Sequence, residues 1–212
     1  MCGRLILADP ADVVAQLLGI VEMPPEWPTR YNLAPTELVP IVREPGRLEL
    51  FRWGLKLDNP RAGGFNARME SMRLYDTTKR CLVVASSFYE WRRSGASKQP
   101  HLVKRTDGQP VVFAGIYDDT GGVAIVTCPA SGIIADLHDR MPVVLERPLF
   151  DTYLDPETDI GPIFAAASAS ALTMYPVGPR ASSVKNDDPS LIERISEPVA
   201  GHAPEVSQLR LF

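Results

Sequence analysis

Apolar and polar positions along this chain change period several times, and each change marks an element. Val13, Val14, Leu17 and Leu18 recur at helical spacing behind Asp9-Pro10, an N-cap residue with proline at the first helical position, and Gly19 supplies a stop, so a short amphipathic helix is predicted. Prolines at 24, 25, 28, 35 and 40 then make residues 22 to 36 read as extended loop. Leu38 to Arg43 and Arg47 to Trp53 read as strands joined by a turn at Pro45-Gly46. A Pro/Gly-rich loop from Asn59 to Gly64 delivers Asn66-Ala67-Arg68-Met69-Glu70 to the start of a helical stretch predicted to run to about Arg80. Cys81 to Ala85 is a continuous apolar run, as in a buried strand, and Phe88-Tyr89-Glu90-Trp91 follows it.

Strand-like runs continue at His101 to Lys104, Val111 to Tyr117 and Val123 to Cys128, separated by Asp107-Gly108 and Gly121-Gly122 turns, a spacing that points to a β-rich barrel or sandwich. A helical turn near Ser131 to Asp136, a further strand closing the stretch from Leu137 to Leu145, a helix over Leu149 to Leu154 and a last strand at Tyr175 to Val177 complete the pattern. Ala165 to Ala171 carries little signal, Asp188-Pro189 caps a small helix to Ile195, and no internal repeat is visible. Residues 1 to 197 are expected to form one domain and residues 198 to 212 a flexible tail.

Composition narrows the class. The 212 residues suffice for one well-buried domain, and 45% hydrophobic with 23% charged residues is ordinary for a soluble globular chain. No run of eighteen apolar residues and no signal-peptide pattern occurs, so the expected location is cytoplasmic, with no membrane contact. Three cysteines, Cys2, Cys81 and Cys128, lack metal-like spacing, so neither a disulfide framework nor a metal or cofactor is expected, and Cys81 and Cys128 read as small core residues. A net charge of −4 argues against indiscriminate coating of nucleic acid while leaving room for a local groove. Arg4, Arg30, Arg68, Arg140, Arg180 and Lys185 lie near the candidate motifs, although a scattered arginine is more often solvated surface.

Two positions carry distinctive chemistry. Trimming of Met1 before the small Cys2 would leave a 1,2-aminothiol, with a free α-amine and a thiol on adjacent carbons. Such a pair condenses with an aldehyde to an imine and closes to a thiazolidine, a ring closure favoured by effective molarity. The plainer alternative is a small buried cysteine behind a retained Met. Glu90, wedged between aromatics, is either a surface residue of an edge strand or a buried acid with a raised pKa.

Taken in order, Cys2-Gly3-Arg4, Tyr31-Asn32-Leu33-Ala34-Pro35, Trp53-Gly54-Leu55, Asn66-Ala67-Arg68 with Glu70, Phe88-Tyr89-Glu90-Trp91, His138-Asp139-Arg140-Met141-Pro142 and Val184-Lys185-Asn186 resemble the SOS-response-associated peptidase (SRAP) family, whose members process abasic sites in single-stranded DNA. The resemblance runs over roughly residues 2 to 196. It implies an α+β fold, a single compact domain built around a curved, barrel-like, mostly antiparallel β-sheet with short peripheral helices. It further implies that Cys2 captures the ring-opened aldehyde as a thiazolidine crosslink, that Asn66 holds the amine and the linkage, that Glu90 is a general acid/base in imine formation and strand scission, and that His138 moves protons at the sugar oxygen. Arg4, Asn32, Pro35, Arg68, Arg140, Lys185 and Asn186 would form the DNA-binding set of a likewise monomeric protein, with Arg4, Arg68 and Arg140 as phosphate clamps. Two positions depart from the family pattern: Lys56-Leu57-Asp58-Asn59-Pro60 lacks a second tryptophan that lines the DNA path in many members, and Ser87 stands where glycine is usual.

Competing readings are an N-terminal-nucleophile amidohydrolase, a cysteine peptidase in the literal sense, and a non-catalytic reader of modified DNA. The amidohydrolase reading needs an Asn-Gly oxyanion motif, and the sequence has no Asn-Gly dipeptide. The C-terminal Gln208-Leu209-Arg210-Leu211-Phe212 is similar to the short peptides by which bacterial replication and repair proteins dock on the sliding clamp, with Gln208, Leu209, Leu211 and Phe212 as contacts; nucleoid association would follow. The alternative is an end that folds back on the domain.

Overall fold

A computed structural model describes residues 2–56, 64–74, 79–94 and 97–196. The tail residues Gln208, Leu209, Leu211 and Phe212, and positions 57–60 of the departing loop, lie outside the described residues. Among the described residues twelve strands form two sheets. In the larger, β3 (Leu38–Glu44), β4 (Arg47–Trp53), β6 (Arg80–Ala85), β9 (Val111–Tyr117) and β10 (Gly122–Pro129) run in the order β10-β4-β3-β6-β9, and β9 pairs with β10 again, so the sheet closes on itself. The expected barrel-like α+β architecture is therefore present. Most pairings are antiparallel, but β10 runs parallel to β4 and to β5 (Asn66–Arg68), while β11 (Arg140–Pro142) flanks the far end of β10.

Every residue of β6 is buried, which is why it reads as an unbroken apolar run: one face fills the barrel and the other is covered by α3 (Phe150–Leu154). Close packing there fixes Gly115, where a Cβ would lie 2.7 Å from Val83 Cγ2 and 2.9 Å from Cys81 Sγ. Tyr153 Oη donates to Gly115 O at 2.9 Å across the same contact.

The smaller sheet follows the order β12-β8-β7-β1-β2, from β12 (Leu172–Pro176), β8 (Ser97–Arg105), β7 (Ser87–Ser94), β1 (Leu5–Leu7) and β2 (Arg30–Leu33). Side-chain alternation explains how it is buried on both sides. Leu5, Leu7, Phe88 and Val103 join the main core, whereas Ile6, Tyr89 and Leu102 pack with Val177 and Ala181 on the opposite face.

Several boundaries differ from expectation for identifiable reasons. The first helix, α1 (Ala11–Leu18), starts after Pro10 with no side-chain cap from Asp9, and Gly19 ends it at φ 65°. Within the predicted loop of residues 22 to 36, Pro28 and Pro35 bracket β2 instead of interrupting it. Asn66-Ala67-Arg68 is a strand and not a helix start, because its ladder is supplied by β10, and a 3₁₀ turn follows at Met69–Leu74. A short helix, α4 (Gly161–Ala165), forms just ahead of the stretch that carried little signal. The remaining helix, α2 (Gly132–Ala135), matches the predicted turn.

Candidate active site

The site lies where the two sheets meet. From the smaller sheet come Cys2-Gly3-Arg4, immediately ahead of β1, and Glu90 on β7. Leu5 pairs with Phe88 and Tyr89 N–H donates to Arg4 O at 3.0 Å, so the antiparallel register carried back along the chain sets Gly3 opposite Glu90. From the other sheet, β5 supplies Asn66, whose Nδ2 donates to Cys2 O at 2.8 Å. His138 sits two residues ahead of β11 and lines a cavity of about 310 Å³ together with Gly3, Arg4 and Glu90. Cys2 is fully buried, Glu90 is 2% exposed and Asn66 9%. The Oδ1 of Asn66 is buried without a hydrogen-bond partner among the described residues, an acceptor placed beside the Cys2 linkage. Such an atom loses its water without compensation unless a donor arrives.

Burial sets the electrostatics. It pushes the Glu90 carboxyl above the ordinary carboxylate range, with the positive charge of the amino terminus opposing part of the shift. The surface-strand alternative for Glu90 is thereby replaced by the buried acid. The Cys2 thiol is likewise raised, first by burial and then by the neighbouring Glu90, so it rests as a thiol. His138 is lowered, chiefly by burial and by the amino terminus. Its Nδ1 accepts the Arg140 backbone N–H at 2.9 Å, which selects the neutral ring with the proton on Nε2. Asp139 Oδ1 lies 2.6 Å from the same nitrogen and accepts its N–H once the ring is protonated.

The expected DNA-binding residues divide into two groups. Arg4 reaches the cavity, and Arg68 and Lys185 are exposed. Arg140 is not a free phosphate clamp: its guanidinium forms a bidentate pair with Glu70 at 2.5 and 2.8 Å and donates to Thr127 O at 2.7 Å, leaving its side chain 11% exposed. It ties the 3₁₀ turn to β10 and so holds the backbone N–H that orients His138. Asn32 is 1% exposed; its Nδ2 donates to Ser183 O and Asn186 O, and its Oδ1 accepts from Arg4 at 3.3 Å. It therefore positions Arg4 and the 183–186 loop. Asn186 turns its own amide inward, donating to Arg180 O. Pro35 is half-buried in the turn after β2, where Glu37 accepts from Ala34 N–H at 2.7 Å and pairs with Arg30. Arg30 also pairs with Asp187, and Arg180 with Asp188, so neither is a free cation.

Five cavity residues escaped the sequence reading as site residues: Gly3, Trp91, Arg93, Lys98 and Ser182. Trp91 Nε1 donates to Ser182 Oγ at 3.0 Å, which joins the hairpin to the loop after β12. The signal was available for Arg93, since period-two alternation along β7 puts it on the face of Trp91. Lys98 and Ser182 arrive through the hairpin register and the loop path, which no local pattern announces. Ser87, for its part, occupies regular strand opposite Ile6 and needs no glycine. A larger cavity of about 540 Å³ between α1 and α3 holds an arginine, Arg105, already paired with Asp107 and Glu146, and no nucleophile. Among the described residues no cluster of His, Cys, Asp and Glu is placed to hold a metal ion, and no helix is long and apolar enough to cross a membrane.

Comparison with known proteins identifies the family and the fold. The SOS response associated peptidase (SRAP) family model matches residues 1–184. The chain is 30% identical to the abasic site processing protein YoqW of Bacillus subtilis, across 91% of this chain and 99% of that one. It is also 30% identical to the abasic site processing protein YedK of Escherichia coli, across 92% and 100%. Among solved structures, a Bacteroides thetaiotaomicron protein shares the fold with a TM-score of 0.77 at 21% identity, covering 92% of this chain and all of that one. A phage-related protein of Bordetella bronchiseptica superposes with a TM-score of 0.69 at 29% identity, covering 83% and 94%. By the extent of the family match and these two relatives, the chain belongs to the SOS response associated peptidase family.

Proposed function

We propose that this protein captures abasic sites in single-stranded DNA as a covalent thiazolidine through Cys2, within the DNA-damage response that the family's name indicates. The observation that carries the reading is the buried Cys2 backbone held by Asn66, with the next residue, Gly3, lining a cavity that also presents Glu90 and His138. Removal of Met1, by an aminopeptidase or by the site itself, frees the Cys2 amine. That amine adds to the aldehyde carbon of the ring-opened sugar. Glu90 protonates the departing hydroxyl, water leaves, and an imine remains. The Cys2 sulfur then adds to the imine carbon while its proton is transferred to nitrogen, closing the ring with the net loss of one water. His138, neutral with Nε2–H available, serves proton movement at the sugar oxygen, and the same imine opens a route to strand scission. The domain is proposed to span residues 1 to 197 and to act as a monomer on a soluble, nucleoid-associated path. Its tail is proposed to dock on the sliding clamp through Gln208, Leu209, Leu211 and Phe212; calorimetry with a purified clamp should show micromolar binding that Leu211→Ala with Phe212→Ala removes.

A denaturing gel tests the central claim. Protein mixed with a uracil-containing single strand treated with uracil-DNA glycosylase should give a covalent band whose mass corresponds to a chain lacking Met1. Capping the aldehyde with hydroxylamine should abolish the band, and Cys2→Ala should remove its durability. A durable band from Cys2→Ala would refute the thiazolidine.

A further inference from the structure

Arg93 and Lys98 face each other across the hairpin of β7 and β8, both are exposed, and both line the cavity that holds Glu90 and His138. Their pairing has a definite geometry. Tyr89 N–H points to β1, so by alternation Arg93 N–H also points away from β8, which makes Arg93 and Lys98 a non-hydrogen-bonded pair. In such pairs the Cα atoms come within about 4.5 Å and the side chains are closest. Like charges directly opposite one another destabilise a sheet. Neither cation has an ion-pair or hydrogen-bond partner among the described residues, in contrast to Arg30, Arg105, Arg140 and Arg180. The arrangement is unfavourable by itself and becomes favourable when an anion sits between the two. Trp91 lies two residues back on the same face of β7, an aromatic surface next to the charge pair. Cations beside an aromatic face suit a single strand, whose phosphates and bases alternate at that scale.

We propose that Arg93 and Lys98 form a two-cation clamp for a backbone phosphate of the DNA strand beside the lesion, on the hairpin side of the cavity. This rests on the reading that the cavity takes single-stranded DNA. The two separate experimentally: affinity for an undamaged strand reads the clamp, and the covalent band on an abasic strand reads Cys2.

The test is fluorescence anisotropy of a labelled undamaged oligonucleotide across a salt series, using wild type, Arg93→Gln with Lys98→Gln, and Lys98→Glu. Loss of the one clamped phosphate should reduce the slope of log affinity against log salt by about 0.7 in the double variant, which is about 5-fold weaker binding at 0.1 M salt. Its thermal midpoint should hold or rise, since a repulsive pair is removed. Lys98→Glu creates a cross-strand ion pair, so it should melt higher still while binding more weakly. Unchanged affinity and slope in the double variant would overturn the clamp. So would a salt-independent loss with a lower midpoint, which would make the pair structural, or full binding by Lys98→Glu.

Discussion

Replacing Asn66 by Ala tests how Cys2 is held, and its effect follows from one contact. The substitution removes the 2.8 Å hydrogen bond to Cys2 O and leaves that carbonyl, in a fully buried residue, without its side-chain donor. A buried acceptor stripped of its partner costs about 1 to 3 kcal/mol. Asn66 Oδ1 has no partner to lose, so the amide nitrogen accounts for the whole effect. If holding Cys2 is what brings the amine and sulfur to the aldehyde, this becomes a rate loss of about 5- to 150-fold, at about 1.4 kcal/mol per factor of ten. Asn66→Asp should be worse, since it sets an acceptor against a carbonyl and adds an acid near Glu90. Backbone pairing of β5 with β10 is untouched by either change. The assay is the single-turnover rate of crosslinking to an abasic oligonucleotide at saturating protein, alongside a thermal melt. A rate within twofold of wild type would refute the positioning role, whether or not the melt shifts.

Glu90→Gln should separate stability from chemistry. The folded protein holds the Glu90 proton more tightly than the unfolded chain, so ionisation of this group costs stability; the cost is absent below the unfolded pKa near about 4.3 and develops as pH rises towards and past the folded value. The variant should therefore melt with wild type at pH 4 and above it at pH 8, while its crosslinking slows about 10²- to 10⁴-fold; equal melts at both pH values would contradict the burial argument. Glu70→Gln breaks the pair with Arg140, which is half exposed on the Glu70 side, and should lower stability by no more than about 1 kcal/mol while lowering the pH at which His138 titrates by NMR, as the Arg140 charge that disfavours the imidazolium loses its neutralising carboxylate. Gly115→Ala should lower stability by about 1 to 3 kcal/mol in denaturant melts, because its Cβ meets Val83 and Cys81 well inside contact distance.

Strands set by alternation and turn residues were legible in the sequence: β3, β4, β6, β9 and β10 fall within a residue or so of the pattern. Elements set by a distant ladder were not. The three residues of β5 carry no strand signal of their own and exist because β10 runs beside them, and β2 depends on β1 and on Asp187, which accepts the N–H groups of Tyr31 and Asn32 at 2.6 and 3.0 Å. The same division holds in the site. Cys2, Asn66, Glu90 and His138 were singled out by motif and residue type, and the fold sets Asn66 against Cys2 and places Glu90 and His138 at the adjoining cavity. What the sequence left undetermined was how each arginine is used, because an arginine's role depends on which acid folding places beside it.

That last point explains how a chain of net charge −4 presents a positive cavity. Many of its acids are not free field sources. Asp187 and Glu37 neutralise Arg30, Glu70 neutralises Arg140, Asp188 neutralises Arg180, and each pair fastens a loop that walls the site. Glu90, the acid inside the cavity, is pushed by burial towards its neutral form. Arg4, Arg93 and Lys98 then remain at the cavity without an acid partner among the described residues, with Arg4 held by the uncharged oxygen of Asn32. A neutral acceptor orients a guanidinium while leaving its charge for the ligand, which an aspartate in the same place would cancel. The potential at the site is thus decided by pairing and not by composition, and the arginines bound within the fold leave others unpaired at the cavity.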